Sequence, residues 1–176
     1  MSSFQNSDSS SIDASRVPQA PTALAVIVPV HNEAENIKSV YHRLATTLDA
    51  SRHVSTWTVL FINNASTDLS LKEIKALQAT DPRIQYVTMA RNFGYHASLV
   101  AGLSLVEADR YAIIDGDGED PPEMLSTFLE ALENGSQLAY GIRSNREEPR
   151  FITLARKIFY RILRKIADGE IVEWMA

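Results

Sequence analysis

Residues 23–33 read Ala-Leu-Ala-Val-Ile-Val-Pro-Val-His-Asn-Glu, an unbroken apolar run that stops abruptly at a polar turn. A run this short and without alternation predicts a strand buried on both faces, the kind found inside a parallel sheet. A helix follows. Ile37, Val40, Tyr41, Leu44 and Leu48 recur on one helical face, and Asn32 with Glu35 fits a capping-box start. The alternation then repeats down the chain. Trp57–Ile62, Ile84–Met89, Tyr111–Ile114 and Leu138–Ile142 read as four more strands. Between them, Leu71, Ile74 and Leu77, then Leu99, Val100, Leu103 and Val106, then Met124, Leu125, Phe128 and Leu132 mark helices. Asp120 as N-cap and Pro121 at the first helical position open the last helix, which Gly135 stops. Parallel neighbours need a crossover between them, so this order predicts an α/β fold: a mainly parallel sheet with helices on both faces.

The rest of the chain fits one domain with appendages. Its 176 residues suit a single core, and 45% hydrophobic with 22% charged residues is a globular composition. The absence of cysteine excludes disulfides, cysteine-ligated zinc, iron–sulfur clusters and thiol catalysis. Residues 1–22 hold seven serines and few large apolar side chains, which predicts a disordered tail. They show neither the basic start nor the apolar run of a signal peptide, and no stretch has the length of a membrane span. A cytoplasmic protein is expected, with a domain over 23–149 and a further region over 150–176.

The net charge of −5 argues against nucleic acid as a partner, yet it hides an uneven distribution. Arg150 to Lys165 hold six of the 17 positive charges and no acid. Phe151, Leu154, Ala155, Ile158, Ile162 and Ile166 share one face of that stretch. It reads either as a packing helix with a solvated basic side or, over 150–167, as an interfacial helix for an anionic membrane surface.

In parallel sheets ligands bind beyond the carboxyl ends of the strands, and the unusual polar residues fall there. Pro29-Val-His-Asn-Glu33, Asn63-Asn-Ala-Ser-Thr-Asp68, Arg91-Asn-Phe-Gly94, Asp115-Gly-Asp-Gly-Glu-Asp120 and Gly141-Ile-Arg143 follow the five strands in order. Each alone is an ordinary turn or cap; together they mark a site. Asp115 and Asp117 are two apart at a strand end, so both carboxylates can face one ligand, and Gly116 and Gly118 allow close backbone approach. Two carboxylates side by side call for a divalent cation shared with substrate phosphates, as Mg²⁺ or Mn²⁺ is usually held. The calcium-loop spacing fails, because the required glycine and final acid are Asp120 and Ser126 here. Phosphate-loop and dinucleotide fingerprints are absent as well. His31 and His96 fall in strand-end loops and read as hydrogen-bonding pocket residues, whereas His42 and His53 read as surface.

These motifs, in this order over about residues 23–170, resemble a family 2 glycosyltransferase of GT-A fold, most closely the branch similar to dolichyl-phosphate mannose synthase. The resemblance implies transfer of a sugar from a nucleotide-diphosphate sugar, with polyprenyl phosphate as acceptor and Mg²⁺ or Mn²⁺ as cofactor. It implies that Pro29, His31, Asn32, Glu33, Asn63, Ser66, Asp115 and Gly116 bind the nucleotide, with position 63 meeting the base. Asp115, Asp117 and Glu119 would meet the metal, with Asp117 and Arg143 catalytic. Arg143, Arg146 and Arg156 would neutralise donor or acceptor phosphate at a peripheral site on the cytoplasmic membrane face. The chain departs from the pattern at Asn63-Asn64-Ala65, where relatives commonly have Asp-Asp-Gly, and it stops at Ala176, where relatives continue. Those departures keep a second expectation open, a noncatalytic nucleotide-sugar-binding fragment. A sugar-nucleotide-forming nucleotidyltransferase would want a glycine- and lysine-rich loop after the first strand, which is missing.

Overall fold

A computed structural model describes residues 22–141. Four strands, β1 (Thr22–Val30), β2 (Val54–Asn63), β3 (Ile84–Thr88) and β4 (Arg110–Ile113), alternate with helices α1 (Ile37–Asp49), α2 (Ser70–Gln78) and α3 (Tyr95–Leu105). A 3₁₀ turn (Pro122–Met124) leads into α4 (Leu125–Glu133). All neighbours are parallel and the sheet order is β3-β2-β1-β4. The direction of winding therefore reverses at β1, which pairs with β2 on one side and β4 on the other.

β1 shows why an unbroken apolar run means an inner strand. Val26, Val28 and Val30 point into the larger core with Trp57, Val59 and Phe61 of β2, against Ile37, Val40, Leu44 and Leu48 of α1. α2 adds Ile74 and Leu77 to this layer, and α4 adds Leu125 and Leu129. On the opposite face Ile27, Leu60 and Ile62 form a smaller cluster, covered by Leu99 of α3 and Val106 just beyond it. Burying such a side chain contributes roughly 1.5–3 kcal/mol, so β1, apolar toward both layers, is the strand on which the fold most depends.

Several local expectations need correction. Thr22 belongs to β1 and is buried. The capping box does not form: α1 begins at Ile37, four residues beyond Glu33, whose carbonyl accepts from the N–H groups of Asn36 and Ile37. Asn32 instead sits at φ 62° and turns its side chain toward the next loop. The last helix opens one residue late, with Pro122 rather than Pro121 at its first position. α3 buries Ser98 and Gly102, one turn apart, and leaves Val100 (64%) and Leu103 (45%) exposed. His53 is buried, its Nδ1 lying 2.7 Å from the Glu133 carboxylate. Leu138 to Gly141 form no strand; Leu138 is 75% exposed, and no ladder partner among the described residues rewards extension. Ile142, the last residue of that expected strand, lies outside the described residues, as do Arg143, Arg146, Arg156 and the whole basic stretch 150–167.

Candidate functional site

The loops leaving β1, β2, β3 and β4 converge on one edge of the sheet. There they enclose a cavity of about 290 Å³ whose walls include Pro29 at the end of β1, His31 and Glu33 from the first loop and Asp115, Gly116 and Asp117 from the last. It lies where the winding reverses between β1 and β4, the position at which such sheets bind ligands.

Glycine makes the closest approach possible. A Cβ on Gly116 would stand 2.9 Å from the Pro29 carbonyl oxygen and 3.1 Å from Val30 Cγ2. The loop after β4 therefore rests directly on the end of β1, which brings Asp115 and Asp117 to the same cavity as His31 and Glu33. Asp115 Oδ1 accepts a 2.8 Å hydrogen bond from the Tyr95 hydroxyl. Partial burial, and then this carboxylate, push the Tyr95 hydroxyl pKa well above its ordinary value, so the phenol stays a donor. Asp117 Oδ1 accepts from the Glu119 N–H at 2.9 Å, a short turn that fixes its carboxylate.

The first and second loops are laced together. Asn32 donates its N–H to Ser66 Oγ at 3.1 Å and accepts from the Thr67 N–H at 2.8 Å. Glu33 donates its N–H to Ser70 Oγ, and Ala34 donates its own to Asp68 Oδ2. Asn63 is buried: its Oδ1 accepts from the Ser66 N–H and its Nδ2 donates to Thr88 Oγ1 at 3.4 Å. Its neighbour Asn64 lines the cavity, while Asn63, Asn32 and Ser66 are absent from the lining. Ala65 takes up φ 54°, a conformation that costs a non-glycine residue roughly 1 kcal/mol.

Of the residues expected at the site, Pro29, His31, Glu33, Asp115, Gly116 and Asp117 are brought together. Glu119 is not part of the lining, and among the described residues no three His, Asp or Glu side chains gather as a metal cluster. Of the three carboxylates expected at a metal, Asp115 and Asp117 line the cavity and Glu119 does not. Two carboxylates facing one cavity still fit a cation that takes its remaining ligands from water and substrate phosphate. Sequence reasoning gave no role to Asn64, Asn92, Gly94, Tyr95 and Ser98, all of which line the cavity. Asn64, Asn92 and Gly94 lay inside recognised strand-end clusters, and Tyr95 directly follows one, so the signal was position along the strand ends rather than residue type.

The comparisons with known proteins agree with this architecture. The family described as Glycosyl transferase family 2 matches residues 25–172. An uncharacterized glycosyltransferase of Bacillus subtilis, YkcC, is 30% identical over 148 residues, covering 84% of this chain and 45% of its own. An undecaprenyl-phosphate 4-deoxy-4-formamido-L-arabinose transferase of Salmonella choleraesuis is 29% identical, covering 81% of this chain and 43% of its own. The chain thus spans less than half the length of these relatives. Among solved structures, the mannosyltransferase PcManGT of Pyrobaculum calidifontis, in complex with GDP-Man and Mn²⁺, superposes with a TM-score of 0.55 at 23% identity. That match covers 82% of this chain and 39% of that one. Glucosyl-3-phosphoglycerate synthase of Mycobacterium tuberculosis, in complex with UDP, gives a TM-score of 0.55 at 20% identity, covering 84% and 53%. At such identities the likeness establishes the fold, which is GT-A.

Proposed function

The chain belongs to glycosyl transferase family 2, and from that premise we propose that its cavity binds a nucleotide-diphosphate sugar whose sugar is passed to polyprenyl phosphate. The observation that carries this reading is the cavity between the ends of β1 and β4, with Asp115 and Asp117 on a glycine-permitted loop pressed against Pro29. The GDP-Man and UDP named with the two structural neighbours support the donor class, and the Mn²⁺ named with one supports a divalent cation. The undecaprenyl-phosphate relative supports the acceptor.

In this reading Asp115 and Asp117 hold Mg²⁺ or Mn²⁺. Bound there, the cation supplies Lewis-acid stabilisation of the departing nucleotide diphosphate. The chain's own groups do the positioning. Tyr95 holds one oxygen of Asp115, the Glu119 N–H holds one of Asp117, and Gly116 keeps both close to the first loop. A phosphate acceptor is already anionic, so transfer to it needs no general base, and none is required of His31 or Glu33. Arg143, Arg146 and Arg156 would neutralise phosphate, and 150–167 would meet an anionic membrane face.

Three measurements test this. The full-length protein, given Mn²⁺, a panel of UDP- and GDP-sugars and polyprenyl phosphate in vesicles, should release nucleotide diphosphate only when the acceptor is present. Binding without release from any pair would leave a noncatalytic nucleotide-sugar module. By calorimetry, Asp117→Ala should weaken the metal-dependent part of donor binding at least about tenfold, the scale of losing one charged ligand group; unchanged metal dependence removes the assignment. Sedimentation with vesicles tests the membrane contact, since equal recovery on neutral and anionic lipid would refute it.

A further inference from the structure

One wall of the cavity is a closed hydrogen-bond circuit whose proton positions are dictated by backbone groups. The Phe93 N–H donates to Asn64 Oδ1 at 2.9 Å, so the other end of that amide, Nδ2, is the donor that meets Asn92 Oδ1 at 2.9 Å. Asn92 Oδ1 also accepts from the Gly94 N–H at 2.8 Å, which fixes the Asn92 amide in the same way. Its Nδ2 therefore points a hydrogen at His31 Nε2, 3.1 Å away. The second ring nitrogen, Nδ1, lies 2.9 Å from the Asn64 carbonyl oxygen, which can only accept. Two backbone N–H groups and one carbonyl thus leave a single consistent assignment: His31 carries its hydrogen on Nδ1 and receives one at Nε2.

We propose that Asn64 is a positioning residue which, through Asn92, locks His31 as the neutral Nδ1–H tautomer and so gives the cavity an uncharged wall. Its functional meaning rests on the nucleotide-sugar reading above. With both nitrogens engaged, His31 offers neither a base nor a cation to a bound diphosphate; it contributes ring surface in a fixed orientation. The amide at 64 is essential to this. A carboxylate there would still accept from the Phe93 N–H, but its other oxygen would face Asn92 Oδ1. Relief would come from rotating the Asn92 amide at the expense of its bond from the Gly94 N–H, which turns its oxygen toward Nε2 and requires a hydrogen on that nitrogen. Asn64 therefore decides the state of a side chain with which it shares no side-chain bond.

Two-bond ¹H–¹⁵N correlation of the imidazoles tests this, with His31 identified by the signal lost in His31→Gln. In the wild type near neutral pH the expected pattern is protonated Nδ1 and bare Nε2; an Nε2–H or averaged pattern overturns the proposal. In Asn64→Asp the Nδ1–H-only pattern should be lost in favour of a protonated Nε2, and its persistence overturns the role of Asn64. Asn92→Ala gives a second route should that variant fail to fold: the Asn64 carbonyl still holds the hydrogen on Nδ1, while the Nε2 resonance should move for want of its donor, and an Nε2 resonance that stays in place would overturn the lock. UDP or GDP added with Mg²⁺, which is diamagnetic, should shift the His31 resonances while leaving the tautomer intact. Nucleotide that binds without shifting them overturns the wall. If no nucleotide binds, the function proposed above fails while an observed Nδ1–H pattern still supports the lock.

Discussion

Gly116 carries more of the site than any charged residue, because the carboxylates on either side of it reach the cavity only by its lack of a side chain. The nearest atom to a Cβ there is a backbone oxygen of β1, at 2.9 Å, which cannot rotate away. Gly116→Ala should destabilise the fold by about 1–3 kcal/mol, the usual range for overpacking, and weaken donor binding as the loop lifts. Denaturant titration with and without nucleotide measures both, and a Gly116→Ala variant with wild-type stability and affinity would show that the loops are free to separate. At this scale the sequence was half legible. Asp115, Gly116 and Asp117 announce themselves by type and spacing, since few uses other than a phosphate or cation site call for them together. Asn63 and Asn64 do not, because two identical neighbours at a strand end face different ways. One is spent on Ser66 and Thr88, the other on the cavity wall, and only the register of β2 decides which.

At the scale of elements, α3 shows what periodicity misses. Its sequence is apolar on nearly every side, so no face stands out, and the choice falls to close packing. Ser98 and Gly102 are small enough to let the helix rest on β1; a Cβ on Gly102 would stand 2.5 Å from Ile27 Cγ2. Gly102→Ala gains up to about 1 kcal/mol of helix propensity, yet the overlap with Ile27 should make it a net loss. Adding Ile27→Ala empties the space, so the double variant should be more stable than the sum of the two single losses, by roughly 0.5–3 kcal/mol of coupling. Urea titration of the four proteins measures this, and strict additivity would mean that α3 does not rest on Ile27. The buried face of α1, by contrast, was legible: Ile37, Val40, Tyr41, Leu44 and Leu48 are all buried, since polar residues between them leave only one face to bury. Its start was not, because the Asn32 side chain is held by the neighbouring loop rather than by the helix.

Across the molecule, the edge of the sheet opposite the cavity is tied by charge. Tyr41 of α1 donates its hydroxyl to Asp81 Oδ2, Arg83 pairs with Asp81 at 2.7 Å and with Asp49 at 2.6 Å, and its guanidinium lies 3.7 Å from the Trp57 ring centre. Hydrogen bonding to Arg83, despite the opposing effect of burial, holds the Asp81 carboxyl well below its ordinary range; burial and Asp81 push the Tyr41 hydroxyl up to about 12. A carboxylate whose folded pKa is depressed contributes stability that is present above its unfolded pKa, near 3.9, and is lost as pH falls through the folded value. Asp81→Asn should therefore cost roughly 2 kcal/mol at pH 7, the scale of a charge-assisted hydrogen bond, with the gap to wild type closing below about pH 4. Urea midpoints at pH 7 and about pH 2 read this directly, and a gap that stays constant between them would assign the loss to packing. The fold itself was legible at this scale, because strand–helix alternation leaves few alternatives. The sheet order was not written in any single segment; it emerges from β1 pairing on both sides. That placement of β1 sets a timetable. The β1–β2 ladder joins Val26 to Val59, while the β1–β4 ladder joins Ile27 to Ile113 and waits for a loop more than twice as long to close. Loop-closure entropy and contact order favour the nearer pairing first. The floor of the cavity can thus be assembled while the chain is still incomplete, whereas its carboxylate wall arrives with the β1–β4 ladder, so the cavity is complete only once that later pairing has formed.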